Sequence, residues 1–237
     1  MLKIENLTKH YRGGNCGIHH INLEVQAGDI YGFLGSNGAG KTTTIKCVTG
    51  IHDFDHGEIT INGLSLKRHA LECKQVMAYI PDNPDLYENM SGIHYLNFIA
   101  DIYKMNQFQR TEEIEHYANL FNLTEFLGNS ISSYSHGMKQ KLAIISAVMH
   151  HPKLLLLDEP FVGLDPKAAF ELKKIMKSLV EKGTAIFISS HVLEVVEKLC
   201  NKIAIIQSGS IIANGETELV KGHSSLEQVF LELTRNE

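Results

Sequence analysis

Short runs of apolar residues recur along the chain and predict buried β-strands. The runs are Ile30–Leu34, Lys153–Leu157 and Ala185–Ser189. A segment with helical periodicity follows each of them, and Gly50 and Gly183 are placed to end two of these helices. Buried strands that alternate with helices predict an α/β fold with a mainly parallel sheet covered on both faces.

Strict alternation of apolar and polar residues predicts further strands near the amino terminus. The alternating positions are Leu2 and Ile4, then Ile21, Leu23 and Val25, and then the segment Glu58–Gly63. Another strand is predicted to end at Pro81, and a hairpin is predicted around Ser208 and Gly209. The pattern changes over residues 85–134, which are aromatic-rich, helical in period and free of strand signals. This block is predicted to be an inserted helical subdomain.

The composition of the chain argues against several classes of protein. A chain of 237 residues can build a full hydrophobic core, and its net charge of −5 gives no basic field for nucleic acid as a main partner. The four cysteines lie far apart and form no C-x-x-C pair, which predicts reduced thiols in a cytoplasmic protein. The thirteen histidines form no H-E-x-x-H motif, and no apolar run approaches the ~18 residues that span a bilayer. We therefore expect a soluble protein without a histidine metal site.

The segment Gly35–Thr42 matches the phosphate-binding pattern G-x-x-x-x-G-K-[ST] in full. It follows a predicted strand and opens a predicted helix, as this motif requires. The glycines let backbone N–H groups surround the phosphates, Lys41 neutralises them, and the hydroxyl of Thr42 can bind Mg²⁺. The alternative is a chance glycine-rich turn. The predicted nucleotide-binding residues of this loop are Gly35, Ser36, Asn37, Gly38, Ala39, Gly40, Lys41, Thr42 and Thr43.

Two acids follow the strand in LLLLDEP, at the edge where open parallel sheets bind ligands. Asp158 is predicted to bind Mg²⁺, directly or through water. Glu159 is predicted to orient a water molecule and accept its proton, which makes hydrolysis possible. The alternative is that the two acids cap the next segment.

Three further motifs have a structural interpretation, and two of them have a functional one as well. In YSHGM, Ser135 could be a helix N-cap or part of a second anion site. In GLDP, Asp165 and Pro166 have the spacing of a helix start. In SSH, Ser190 could be a cap, whereas His191 could donate a hydrogen bond to a terminal phosphate.

Taken in order along the chain, these motifs resemble the nucleotide-binding subunit of an ABC transporter. The order is Tyr11, GSNGAGKT, YIPD, YSHGMKQK, LLLLDEP, GLDP and SSH. The resemblance covers essentially the whole chain. It implies a P-loop NTPase core with a small antiparallel β subdomain and an inserted helical subdomain, all in one domain. The implied ranges are 1–84 and 150–222 for the core and β subdomain, 85–149 for the helical subdomain, and 223–237 for a C-terminal helix.

The resemblance also implies a mechanism in which two subunits pack head to tail around ATP and Mg²⁺. Ser135 and Gly137 would then contact the γ-phosphate of the partner's ATP, and Tyr11 would stack on adenine. The alternative for Tyr11 is a core aromatic. The catalytic residues implied are Glu159, His191 and Lys41, and Asp165 joins the nucleotide-binding set.

Two positions depart from the family pattern. His136 and Met138 replace the usual glycine and glutamine of the signature, and we expect the His136 side chain to point away from phosphate. Asp82 stands where glutamine is usual, so its assignment as a metal contact competes with a role in signalling to a membrane partner.

The implied partners are a polytopic membrane permease and a second ATPase subunit, with a homodimer expected. The protein would lie in the cytoplasm, at the inner face of the membrane. The amphipathic segment Ser224–Thr234 resembles the tail of bacterial exporter subunits. Two alternatives remain: a soluble ABC-type ATPase that acts as an assembly or regulatory factor, and a small-molecule kinase.

Overall fold

A computed structural model describes residues 1–11 and 17–234. Cys16, one of the four predicted free thiols, lies outside this range, as do residues 235–237 of the predicted C-terminal helix. The other three cysteines, Cys47, Cys73 and Cys200, are buried free thiols.

The larger sheet follows the order β10-β9-β3-β8-β7-β6 within the described residues. Its strands are β3 (Ile30–Leu34), β6 (Met77–Ile80), β7 (Leu154–Asp158), β8 (Ala185–Ser190), β9 (Lys202–Gln207) and β10 (Ser210–Glu216). All neighbours are parallel except β9 and β10, which form the predicted antiparallel hairpin. The predicted α/β fold with a mainly parallel sheet is therefore confirmed.

The smaller sheet is antiparallel and has the order β2-β1-β4-β5. Its strands are β1 (Leu2–Lys9), β2 (Ile18–Val25), β4 (His56–Ile61) and β5 (Leu64–Ser65). The backbone N–H of His19 donates to the carbonyl of Gly209, 2.8 Å away, and so links this sheet to the β9–β10 turn.

Helices connect the strands and cover the larger sheet. They are α1 (Lys41–Val48), α2 (Ala70–Gln75), α3 (Gly92–Ile102), α4 (Gln107–Leu120), α5 (His136–Val148), α6 (Pro166–Glu181), α7 (Leu193–Leu199), α8 (Thr217–Lys221) and α9 (Leu226–Thr234). Two 3-10 turns, Thr124–Phe126 and Ile131–Ser133, lie between α4 and α5. Residues 85–149, all of which the structure describes, contain α3, α4 and α5 and none of the β-strands of either sheet.

Alternate residues of the central strands serve two separate cores. Leu155 and Leu157 of β7 face the core formed with α3, α5 and α6. Leu154 and Leu156 face the core between the two sheets, where the Phe187 ring lies 5.3 Å from that of Phe33. Because consecutive strand residues point to opposite faces, a continuous apolar run is what a sheet covered on both sides requires.

Most predicted elements occur within two residues of their expected bounds, and the differences have local causes. The C-terminal helix begins at Leu226, because the hydroxyl of Ser225 caps it by accepting from the N–H of Gln228. Within α9 only Leu226 is buried, whereas Leu233 is 39% exposed. None of the helices in residues 1–11 and 17–234 is both long and apolar enough to span a membrane.

Candidate active site

The phosphate-binding motif forms the loop between β3 and α1, at the carboxyl edge of the parallel strands. Gly38 and Gly40 have φ values of +82° and +113°, which residues with a Cβ rarely adopt. At Gly35 a Cβ would lie 2.5 Å from the carbonyl oxygen of Ile206. The loop conformation therefore requires glycine at these positions.

Lys41 is buried at the base of this loop. Its Nζ donates to the carbonyl oxygens of Gly35 (2.7 Å) and Ser36 (3.2 Å). Burial lowers the pKa of Lys41, and the carboxylates of Glu159 and Asp158 oppose this shift by favouring the ammonium form. The lysine is therefore positioned by the backbone carbonyls of its own loop.

Asp158 is the last residue of β7 and is 1% exposed. It pairs in register with Ser189 of β8, whose hydroxyl donates to Asp158 Oδ1. Burial raises the pKa of Asp158, and the neighbouring Asp82 and Glu159 carboxylates add to that effect. The hydroxyls of Ser189 and Thr42, which favour the charged carboxylate, oppose it.

The other carboxylate oxygen of Asp158 fits a magnesium site. Oδ2 is buried and has no hydrogen-bond partner in the described part of the chain. A buried carboxylate oxygen without a donor is costly unless a cation or another donor reaches it. The hydroxyl of Thr42 lies near the Asp158 carboxylate, so the two groups together supply hard oxygen ligands of the kind that Mg²⁺ prefers.

Glu159 adopts a left-handed backbone conformation, with φ of +49°. One carboxylate oxygen lies 2.9 Å from His191 Nδ1 and 3.8 Å from Lys41 Nζ. The other accepts from the backbone N–H of His191 at 3.4 Å. The predicted catalytic residues Glu159, His191 and Lys41 are thus brought together at one place.

A cavity of about 200 Å³ opens above the phosphate loop. Its walls are Tyr11, Gly17, Ser36, Asn37, Gly38, Gly40, Lys41, Thr42, Thr43, Asp82, Asp158 and Glu159. The Tyr11 hydroxyl lies 3.3 Å from Thr43 Oγ1, and the residue is 39% exposed, so Tyr11 is not a core aromatic. Of the predicted loop residues, Gly35 and Ala39 are buried behind the cavity wall.

Asp82 lies at the cavity rim and is exposed. Its Oδ1 accepts from the backbone N–H of Asn83 at 2.8 Å. The carboxylate is close enough to raise the pKa of Asp158, but it has solvent access that Asp158 lacks. Its metal assignment stays a prediction.

Three predicted nucleotide contacts, Ser135, Gly137 and Asp165, do not line this cavity. The Ser135 hydroxyl caps α5 by accepting from the N–H of Met138, as its structural interpretation predicted. Asp165 caps α6 and also forms an ion pair with Lys141, 2.6 Å away, which lowers the pKa of the aspartate. Ser135 and Gly137 remain at the protein surface, with Ser135 the more exposed of the two.

Ser189 and Gln140 support the site, and the motifs that contain them, SSH and YSHGMKQK, did not indicate a role for either residue. Ser189 positions Asp158, and the buried Gln140 side chain lies 3.5 Å from the carbonyl of Pro160, next to Glu159. Asp158 and Ser189 are 31 positions apart in the sequence, so the contact between them becomes evident only from the pairing of β7 with β8.

Comparison with known proteins places these features in a family. The sequence profile described as "ABC transporter" matches residues 18–162. The bacitracin transport ATP-binding protein BcrA of Bacillus licheniformis is 37% identical over 213 residues, which is 90% of this chain and 68% of that protein. The linearmycin resistance ATP-binding protein LnrL of Bacillus subtilis is 34% identical over 215 residues, 91% of this chain and 69% of that protein.

A solved structure described as the ATP-binding subunit of an ABC transporter superimposes on nearly the whole chain. The TM-score is 0.95 at 31% sequence identity, with 99% of both chains covered. The similarity therefore extends over both sheets and the helical insertion, well beyond the phosphate loop.

Proposed function

The chain belongs to the ABC transporter family, and from this premise we propose that it is the subunit that hydrolyses ATP to power a membrane transporter. The observation that carries the proposal is the Glu159 carboxylate, which lies between His191 Nδ1 and Lys41 Nζ at the edge of the phosphate-loop cavity. A general base in this position can act on a water molecule next to the terminal phosphate.

ATP is the substrate of this reaction. The loop N–H groups and Lys41 would bind its phosphates, and Tyr11 would contact the adenine. Glu159 would orient water for attack on the γ-phosphorus and accept its proton as the bond to ADP breaks. His191, which is half-exposed beside Glu159, would donate a hydrogen bond to the γ-phosphate. Magnesium held by Thr42 and Asp158, with Asp82 nearby, would neutralise phosphate charge.

The complete site is proposed to need two copies of the chain. Ser135 and Gly137 lie at the start of α5, outside the cavity that holds this chain's own Lys41. In a head-to-tail dimer, each would reach the nucleotide bound by the other copy. Free N–H groups at a helix start favour phosphate, which suits this role.

The membrane partner is proposed to dock on an apolar groove beside the helical insertion. The groove, of about 440 Å³, is lined by Thr49, Ile51, Leu71, Lys74, Gln75, Met77, Tyr79, Ile102 and Tyr103. Ile51, Leu71 and Ile102 are each at least half exposed, which is unusual for adjacent aliphatic side chains. Such docking would place the protein at the inner face of the membrane.

Export is the proposed direction of transport. Two relatives carry names that refer to bacitracin transport and to linearmycin resistance. Removal of an antibiotic from the cell is the simplest way for a transporter to confer resistance.

A Glu159→Gln variant tests the proposal. With ATP and Mg²⁺ we expect it to form a stable dimer in size-exclusion chromatography with light scattering, since ATP binds but is not cleaved. The exposed Glu115→Gln variant is the matched control and should hydrolyse ATP normally. A Glu159→Gln protein that stays monomeric at saturating ATP would contradict the dimer mechanism.

The partner is tested with the same variant. Tagged Glu159→Gln protein is incubated with ATP and Mg²⁺ in detergent extracts of the native cell, and the captured proteins are identified by mass spectrometry. A polytopic membrane protein without its own phosphate loop is expected. Recovery of soluble partners only would support the assembly-factor alternative.

A further inference from the structure

His136 is a signature residue to which the proposed mechanism assigns no role. It is the first residue of α5 and is exposed, between the cap Ser135 and Gly137. Its ring packs on the backbone of Gly163: a Cβ built at Gly163 would lie 2.5 Å from His136 Cδ2 and 2.7 Å from Nε2. The ring therefore fills the space that a side chain at position 163 would need.

Gly163 lies near the tip of the loop that leads from Glu159 to Asp165. Its φ of +80° also favours glycine. Gly137, which follows His136 in α5, also lies close to Gly163: a Cβ at Gly137 would be 3.0 Å from the carbonyl oxygen of Gly163. The start of α5 and the loop tip thus pack together with almost no free space.

The same helix contacts this loop at two other points. Gln140 reaches the carbonyl of Pro160 at 3.5 Å, and Lys141 pairs with Asp165 at 2.6 Å. His136 and Gln140 follow the i, i+4 spacing that places two residues on one face of a helix, and Lys141 is the residue next to Gln140. The loop is therefore attached to α5 at its beginning, tip and end.

The loop begins with Glu159, whose positive φ makes its backbone strained. A strained residue keeps its conformation only if its surroundings fix it, and two turn hydrogen bonds within the loop contribute. They are Val162 N–H to Glu159 O (3.1 Å) and Leu164 N–H to Phe161 O (3.4 Å). The contact at Gly163 restrains the segment that carries these bonds.

We propose that His136 is a positioning residue for hydrolysis: its ring packs on Gly163 and keeps the Glu159–Asp165 loop fixed to the start of α5. The inference rests on the proposed ATPase function. In this role the histidine side chain acts through the shape of its ring, and its protonation state plays no part. The signature turn and the catalytic glutamate would then move as one unit.

The test compares His136→Ala with His136→Phe in steady-state ATP hydrolysis. Loss of the ring should lower kcat about tenfold, because small errors in the placement of a catalytic group are costly, while KM for ATP stays within about twofold. Phe keeps a flat ring and should restore most of kcat. His94→Ala is the matched control, since His94 is an exposed histidine in the first turn of α3. Melting curves for all variants report whether folding is intact.

A double-mutant cycle with Gly163→Ala tests the contact itself. The new Cβ would clash with the His136 ring, so Gly163→Ala alone should lower kcat more than His136→Ala does. In the double variant, His136→Ala removes the clash, so kcat should be about threefold higher than in Gly163→Ala alone. Losses that simply multiply would show that the two residues act independently and would overturn the proposal.

Other outcomes are equally decisive. A wild-type kcat in His136→Ala, or an effect confined to KM, would refute the positioning role. In the Glu159→Gln background, His136→Ala should still dimerise with ATP, because Ser135 and Gly137 are unchanged. If wild-type protein neither hydrolyses ATP nor dimerises as Glu159→Gln, the proposed function itself has failed, whatever His136 does.

Discussion

Asp158→Asn should stabilise the protein in the absence of ligands while it weakens the binding of magnesium and nucleotide. The native carboxylate is 1% exposed, and its Oδ2 has no partner among the described residues. An unsatisfied buried polar group costs roughly 1–3 kcal/mol, and more when it is charged. Asparagine keeps an oxygen that can accept from the Ser189 hydroxyl and replaces the charged carboxylate by a neutral amide, whose burial costs less.

The expected gain is therefore ~2 kcal/mol, which for a chain of this length corresponds to a rise in Tm of ~4–8 °C. The assay is a melting curve at pH 7 in EDTA without nucleotide. The exposed Asp85→Asn variant is the control and should melt like wild type. Addition of ADP and Mg²⁺ should raise the wild-type Tm by ligand linkage and should raise that of Asp158→Asn much less.

The pH dependence of this effect has a definite sign. Because the pKa of Asp158 is raised in the folded state, the native protein keeps a proton that the unfolded chain releases. Wild-type stability thus falls as pH rises from the ordinary aspartate pKa of about 3.9 through the raised folded value. The advantage of the Asp158→Asn variant over wild type should be largest at pH values above the raised folded pKa. It should shrink as pH falls through that pKa and be smallest below pH ~4, where the wild-type carboxyl becomes protonated in both states. A variant that melts at or below the wild-type temperature at pH 7 in EDTA would refute the reasoning.

Three further substitutions test other parts of the structure. Lys41→Gln should weaken ATP binding by ~10- to 100-fold in calorimetry, because it removes a charge-assisted contact to phosphate; retained affinity would contradict that contact. His191→Ala should lower kcat by ~100-fold with little change in KM, whereas a purely structural histidine would change Tm and leave kcat intact. Leu156→Ala, in the core between the two sheets, should cost ~2–5 kcal/mol in urea unfolding, and a cost below ~1 kcal/mol would show that this core can collapse around the gap.

The fold was predictable wherever periodicity and turn residues agree. β3 has the predicted bounds, Ile30–Leu34, because every side chain in it is buried and Gly35 follows at once. The short helices α2 and α8 were not predicted, since five or six residues give too little periodicity to detect. Sequence alone could not give the strand order either, because pairing such as β3 with β8 and β9 joins distant segments.

Individual site residues were easier to predict than their contacts. The motif order indicated Lys41, Glu159 and His191, and the structure places Lys41 Nζ and His191 Nδ1 within 4 Å of the Glu159 carboxylate. By contrast, Ser189 and the packing of His136 on Gly163 depend on tertiary neighbours. A motif specifies the chemistry that its residues can perform, whereas a supporting residue is recognised only when the fold shows what it touches.

The two adjacent acids illustrate why a strained backbone is useful here. Consecutive residues of a regular strand point to opposite faces of the sheet, so Asp158 and Glu159 could not both line one cavity if β7 continued. The strand ends at Asp158, and the left-handed φ at Glu159 breaks the alternation. Both carboxylates consequently line the phosphate-loop cavity. The strain, of order 1–3 kcal/mol, is offset by contacts of the Glu159 carboxylate with His191 and Lys41, so the same side chain stabilises the backbone conformation that catalysis needs.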